Sequence, residues 1–141
     1  NALFGGSAFT TNSNLTVGYT TDTQFTMNFY NNPVTATVPT FANDSRVRVW
    51  SLIKNPGGKR IFENGRLAAF DVTATNLISW EGAAIGGGTG SGNYYLGRIF
   101  EILWYTNLPS NEQRQVEGYL AHKWNRDGSL NDFHPYKLTV P

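Results

Sequence analysis

The dipeptide Asn64-Gly65 is the strongest constraint on how this chain folds. It stands between Lys59-Arg60-Ile61-Phe62-Glu63 and Arg66-Leu67-Ala68-Ala69-Phe70. Asn followed by Gly accepts the two positive φ angles of a type I′ turn, whose twist matches that of the antiparallel strands it joins. A two-residue hairpin there sets Glu63 opposite Arg66 and Phe62 opposite Leu67, so a charge pair and an apolar pair both match across the strands. Other segments speak the same language. Gln24-Phe25-Thr26-Met27-Asn28-Phe29-Tyr30 places Phe25, Met27 and Phe29 at period two with polar residues between them, the pattern of a strand with one buried face, and Asn31-Asn32-Pro33 ends it. Arg46-Val47-Arg48-Val49-Trp50-Ser51-Leu52-Ile53 reads as another strand, turned by Asn55-Pro56-Gly57-Gly58.

The remaining chain divides into three parts. Glycines crowd the stretch from Gly82 to Gly97, where regular helix is excluded and a loop is expected. Arg98-Ile99-Phe100-Glu101-Ile102-Leu103-Trp104-Tyr105 is too continuously apolar for a half-exposed strand, and predicts one central to a sheet and covered on both faces. The period then changes. Ser110 as N-cap, Gln113 three residues on and Glu112 in the first turn predict a helix over 110–124, with Val116, Tyr119, Leu120 and Trp124 on the face packed against the sheets. Residues 125–141 carry Gly128 and Pro135 and are expected to run irregularly over the surface. Many short strands and a single late helix describe an all-β, two-sheet antiparallel sandwich.

Composition excludes several function classes. At 141 residues the chain has room for one domain. Eleven basic and ten acidic residues leave a net charge of +1, which removes the electrostatic case for a nucleic-acid binder. With no cysteine there are no disulfides, thiol nucleophiles or thiolate metal sites, and the two histidines lack a partner at ligand spacing. No apolar run reaches the roughly 18 residues of a membrane span, so no membrane insertion is expected. Asn1 in place of Met implies processing, or the C-terminal part of a longer chain.

At residues 94–124 a family pattern emerges. Tyr94-Tyr95-Leu96-Gly97 and the apolar run after it, then Leu108-Pro109-Ser110-Asn111-Glu112 and Val116-Glu117-Gly118-Tyr119-Leu120-Ala121-His122-Lys123-Trp124, resemble the C-terminal half of concanavalin A-like lectin/glucanase domains of the laminin G-like type. His134-Pro135-Tyr136-Lys137 is similar to the tail of bacterial and phage versions, and Ile61-Phe62-Glu63-Asn64-Gly65 to their Asn-Gly hairpin. The resemblance implies a jelly-roll sandwich. The first 43 residues fit it only as generic strands, which implies that the chain continues upstream of Asn1 or docks on a partner that closes the sheet.

Glucanases of that fold place two carboxylates at alternate positions of one strand. Here Glu101 is flanked at those positions by Ile99 and Leu103, so no dyad is visible and no enzymatic activity is expected. Glu63 reads as the cross-strand partner of Arg66. The Gly86-Gly87-Gly88-Thr89-Gly90-Ser91-Gly92 loop lacks the Lys-Ser/Thr ending of a phosphate cradle. Trp80, Glu81, Asn93, Tyr94 and Tyr95 flank that loop and combine stacking faces with hydrogen-bonding groups, which makes them the expected ligand-binding rim. Arg46 and Arg48 alternate on one strand face, with Lys54, Lys59, Arg60 and Arg66 nearby in sequence, and read either as a solvated polar sheet face or as the expected partner contact, a patch for an acidic sugar, a phosphate or an acidic neighbour in an assembly. No cofactor is expected. Some relatives bind calcium through rim oxygens, and Asn43-Asp44-Ser45 is the short oxygen-rich cluster that such binding would use. These residues point to a non-catalytic recognition or adhesion module on an extracellular or virion surface, with a glycan or cell-surface polysaccharide as ligand. The alternatives are a decoration or fibre domain of a phage particle that contacts neighbouring subunits, and a non-catalytic fragment of a carbohydrate-active enzyme.

Overall fold

The computed structural model describes residues 2–6, 10–38, 46–73, 76–77, 82–87 and 94–141. Among these residues eight strands form two antiparallel sheets. The first sheet holds β1 (Ala2–Gly5), β2 (Leu15–Thr21), β3 (Gln24–Phe29), β4 (Pro33–Thr37) and β8 (Ala84–Ile85), in the order β4-β3-β2-β1-β8. After the β1–β4 meander the chain leaves for the second sheet and returns to lay β8 beside β1, the order of a Greek key. The second sheet is the meander β5 (Trp50–Asn55), β6 (Gly58–Glu63) and β7 (Arg66–Asp71).

The alternation in β3 does what its period requires: Phe25, Met27 and Phe29 are all buried. They meet Leu15, Val17, Val34 and Ala36 of their own sheet, Val38 just past it, and Ile61 from the second one, in a single cluster. Phe25 stacks on Trp50 with ring centroids 3.9 Å apart and an interplanar angle of 5°, joining the two sheets. The Trp50 indole N–H donates to the Tyr19 hydroxyl at 3.2 Å, so the one polar atom of the indole is satisfied within the core.

The Asn-Gly hairpin has the expected register, with Glu63 opposite Arg66 and Phe62 opposite Leu67. Asn64 and Gly65 adopt φ values of 50° and 76°. The ion pair of Glu63, however, is made with Arg48 and not with the residue across the turn. Arg46 and Arg48 do not share a strand face either, because 46–49 lies outside the ladder. Trp50 pairs with Glu63, the last residue of β6, and Val49 then bonds the turn itself: its carbonyl accepts the Asn64 N–H at 2.8 Å and its N–H donates to Asn64 Oδ1 at 2.9 Å. Among the described residues no strand continues there for residues 46–48 to pair with.

The helix, α1, spans Ser110–Lys123. Its start lies one position from expectation: Pro109 holds the cap at φ −63° and ψ 153° without a side-chain bond, and Ser110 is the first helical residue. It ends in a Schellman motif, in which Asn125 at φ 55° donates to His122 and Arg126 donates to Ala121. The packed face also differs. Gln113, Glu117, Gly118 and Ala121 are buried, whereas Tyr119 is 43% exposed. The cause is the tail, which folds back onto this face through Leu130, His134 and Tyr136. A Cβ on Gly118 would sit 2.5 Å from Tyr136 Cβ, so the helix needs a glycine where the tail crosses. Residues 125–141 therefore hold a 3-10 turn, Asp127–Ser129, and two buried side chains, and are not a loose surface run.

Arg98–Tyr105 is the clearest departure. It forms no strand, and Phe100, Ile102, Leu103, Trp104 and Tyr105 are all exposed. It passes β1, with Phe4 and Trp104 ring centroids 6.3 Å apart, but both ladder edges of β1 are taken, one by β2 and the other by β8. An apolar run reports a demand for burial; it does not supply a strand to pair with.

Candidate functional sites

Of the five rim residues, Trp80, Glu81 and Asn93 lie outside the described residues, as does Asn43-Asp44-Ser45. Tyr94 forms an isolated antiparallel bridge with Gly87, and the Tyr95 N–H donates to the Gly86 carbonyl at 2.9 Å. These two bonds clamp the base of the glycine-rich loop. Tyr94 is 65% exposed. Tyr95 is half-buried with its ring over Gly97, and burial raises its hydroxyl above the usual phenol value. One tyrosine thus presents a face to solvent while the other packs. Further along, Trp104 is 61% exposed and Tyr105 is exposed beside it in sequence.

Glu101 is committed elsewhere. Its carboxylate accepts the Lys123 ammonium at 3.0 Å and the Trp124 indole N–H at 3.0 Å, and Lys123 also bonds the Tyr119 hydroxyl. The Lys123 hydrogen bond, followed by that of Trp124, holds the Glu101 carboxyl below its ordinary value. A glycosidase acid needs the opposite shift. Its neighbour Trp124 packs edge-on against Phe100 at 5.0 Å.

The two histidines take structural positions. His122 Nε2 bonds the Tyr136 carbonyl at 2.8 Å. His134 is buried with its Nε2 3.2 Å from Glu117, whose other oxygen accepts Gln113 Nε2 at 2.8 Å. The Tyr136 N–H donates to His134 Nδ1, so the proton of the neutral ring sits on Nε2 and points at Glu117. Among the described residues no group of three or more His, Asp or Glu is placed to hold a metal ion, and no helix is long and apolar enough to cross a membrane.

A second concave surface lies under the hairpin tip, and only part of it was legible in the sequence. A cleft of about 280 Å³ is lined by Arg46, Val47, Arg48, Glu63, Asn64, Arg66, Ser129 and Asn131. A neighbouring one of about 450 Å³ is lined by Arg66, Leu130, Asn131, Asp132 and Phe133. The two share Arg66 and Asn131. Two contacts tie the tail to the hairpin tip: the Asn131 N–H donates to the Asn64 carbonyl at 2.9 Å, and a Cβ on Gly65 would sit 2.4 Å from the His134 ring. Arg48 has a side chain only 7% exposed and is held by Glu63, while Arg46 and Arg66 are exposed on the rim.

Comparisons of the chain with protein-family models, with curated proteins and with solved structures each find no match. The architecture itself is therefore what stands: two antiparallel sheets and a C-terminal helix, a β-sandwich of general type.

Proposed function

We propose that this chain is a non-catalytic recognition module that binds carbohydrate at an extracellular or virion surface. The observation that carries the reading is the exposure of large aromatic side chains along one stretch, Tyr94, Trp104 and Tyr105. A flat ring held at the surface stacks on the apolar face of a sugar, and clustered exposed apolar side chains mark interaction sites. The similarity of residues 94–124 to laminin G-like domains supports the same reading. The non-catalytic part of the reading is supported by Glu101, whose carboxyl the Lys123 hydrogen bond first and that of Trp124 next hold below its ordinary value, the opposite of what a glycosidase acid needs. Affinity electrophoresis through gels containing a panel of neutral and acidic polysaccharides tests it. At least one polysaccharide should retard the chain, Tyr94→Ala with Trp104→Ala should restore full mobility, and no reducing ends should be released. A chain retarded by none of them defeats the reading.

One observation favours a second reading, a subunit-contact domain of a particle or fibre. Leu96, Ile102 and Leu103 are exposed as well, and aliphatic side chains offer a sugar no stacking face. They suit a protein neighbour that covers the run on both sides. Under this reading Ile102→Asp abolishes assembly in sedimentation velocity and leaves polysaccharide retardation untouched.

A further inference from the structure

Lys59 of β6 is buried completely where the two sheets meet, and three groups close around its nitrogen. Nζ lies 2.6 Å from Oδ1 of Asn32, a residue between β3 and β4 of the other sheet, and 3.2 Å from Oδ2 of Asp71, its cross-strand neighbour on β7. The Phe29 ring covers it at 5.3 Å from the centroid. The Asn32 carboxamide is held in one orientation, because its Nδ2 donates to Asn12 Oδ1 at 3.1 Å and Oδ1 is thereby turned to the lysine. The carboxamide carbon is one C=O bond beyond that oxygen, so Nζ and Cγ stand within about 4 Å, near the separation of reacting atoms. An amine, a carbonyl carbon and a carboxylate are thus gathered in a site where the lysine side chain is 0% exposed and water does not compete.

We propose that Lys59 and Asn32 join in an intramolecular amide bond between the two sheets, with Asp71 as the catalytic base. The Asp71 carboxylate takes a proton from the Lys59 ammonium and frees the lone pair of Nζ, which attacks Asn32 Cγ while the C=O pair moves onto Oδ1. Asp71 passes its proton to Nδ2 and takes another from Nζ. The pair on Oδ1 then re-forms the carbonyl, the Cγ–Nδ2 bond breaks, and ammonia leaves with the proton from Asp71 as ammonium. Asn32 and not Asp71 is the electrophile: the Thr73 N–H, first among its partners, holds the Asp71 carboxyl below its ordinary value, and an ionised carboxylate resists attack. Asp71 keeps 24% of its side chain exposed, which gives the ammonium a way out. The reaction occurs once per molecule and is not turnover, so it is independent of what the surface binds. A chain without cysteine has no disulfide to tie its sheets, and this bond supplies the tie. Until it closes, Lys59 remains the ion-pair partner of Asp71, and replacing Lys59 measures the stability of that unlinked form.

The purified chain, incubated for a week at neutral pH and weighed intact by mass spectrometry, tests the proposal. Wild type should become lighter than its sequence by one ammonia, and trypsin should release a branched peptide that joins the segment of Asn32 to that of Lys59. A succinimide at Asn64-Gly65 would also lose ammonia but leaves no branch, so the branched peptide decides between them. Lys59→Met should keep its full mass, and Asp71→Asn should slow the linkage roughly a hundredfold or more, with circular dichroism showing that both variants fold. Four results overturn the proposal: an unchanged wild-type mass, ammonia lost without the branched peptide, water lost with Lys59 joined to Asp71, or linkage in Asp71→Asn at the wild-type rate.

Discussion

Replacing Lys59 by methionine probes how the second sheet is locked to the first. Lys59 is wholly buried, which is uncommon for a lysine. Its ammonium donates to the Asn32 carbonyl and to Asn32 Oδ1, both at 2.6 Å, and lies 3.2 Å from Asp71 Oδ2 and 5.3 Å from the centre of the Phe29 ring. One side chain thus ties β6 to its neighbour β7 and to the residues between β3 and β4. Removing one partner of a buried ion pair costs about 3–5 kcal/mol. Two features reduce that figure here: Asp71 keeps 24% of its side chain exposed, and it still accepts the Thr73 N–H at 2.9 Å. The thioether also suits contact with Phe29. The expected loss is about 2–4 kcal/mol, or roughly 6–15 °C in melting temperature for a domain of this size. Thermal melts followed by circular dichroism at pH 7 measure it, with urea unfolding to check that the slope stays constant. Lys59→Met with Asp71→Asn should recover part of the loss, because the abandoned carboxylate is then gone. A fall below about 2 °C, or strictly additive single variants, would refute the reasoning.

Gly65→Val should cost more than about 2 kcal/mol, since it puts a β-branched residue at φ 76° and a Cβ 2.4 Å from His134 Cδ2; an unchanged melting temperature would show that the hairpin tip does not rest on His134. Glu117→Gln should cost about 1–3 kcal/mol by urea unfolding, because both His134 and Gln113 donate to the carboxylate and a carboxamide must turn its own donor toward one of them; equal stability would contradict the tautomer given to His134. The carboxyls of Glu101, Asp71 and Asp132 are all held below their ordinary values, Glu101 by Lys123 first, Asp71 by the Thr73 N–H first and Asp132 by Lys137 first. Folded values lower than unfolded ones mean that their contribution is whole above the unfolded values of about 4 and fades as pH falls through the folded ones. Melting temperature should be level from about pH 7 to 5 and fall below about pH 4, less steeply in Glu101→Gln; a rise on acidification would reverse the sign.

The elements that local chemistry determines were legible in the sequence. Asn64-Gly65 announced both its turn and its register, and the period of Phe25, Met27 and Phe29 announced a buried face. What stayed hidden depends on partners distant in the chain. The inner face of α1 is polar because Gln113 donates to Glu117 and Glu117 bonds His134, a residue of the tail, so a search for apolar positions selects the wrong stripe. Lys59 belongs to a residue type almost never fully buried unless paired. It stands two residues from the core residue Ile61, and in a strand that spacing puts both on one side, so the parity of β6 held the answer. Likewise Arg46 and Arg48 were legible as charge, but Arg66, Asn131 and Phe133 join them only once the tail crosses beneath the hairpin. Arg98–Tyr105 carried the signature of burial without the ladder that would use it.

The central claim, that this fold recognises carbohydrate through surface aromatic rings, is tested most directly by the indole N–H signals of its four tryptophans in a heteronuclear NMR titration. The probe is an oligosaccharide of whichever polysaccharide retards the chain in gels. Trp50 donates to Tyr19 within the core and Trp124 donates to Glu101, so their signals should hold still. Trp104, with its exposed ring, should shift progressively to saturation as sugar is added. A titration in which the Trp104 signal never moves while the sugar binds would contradict the claim.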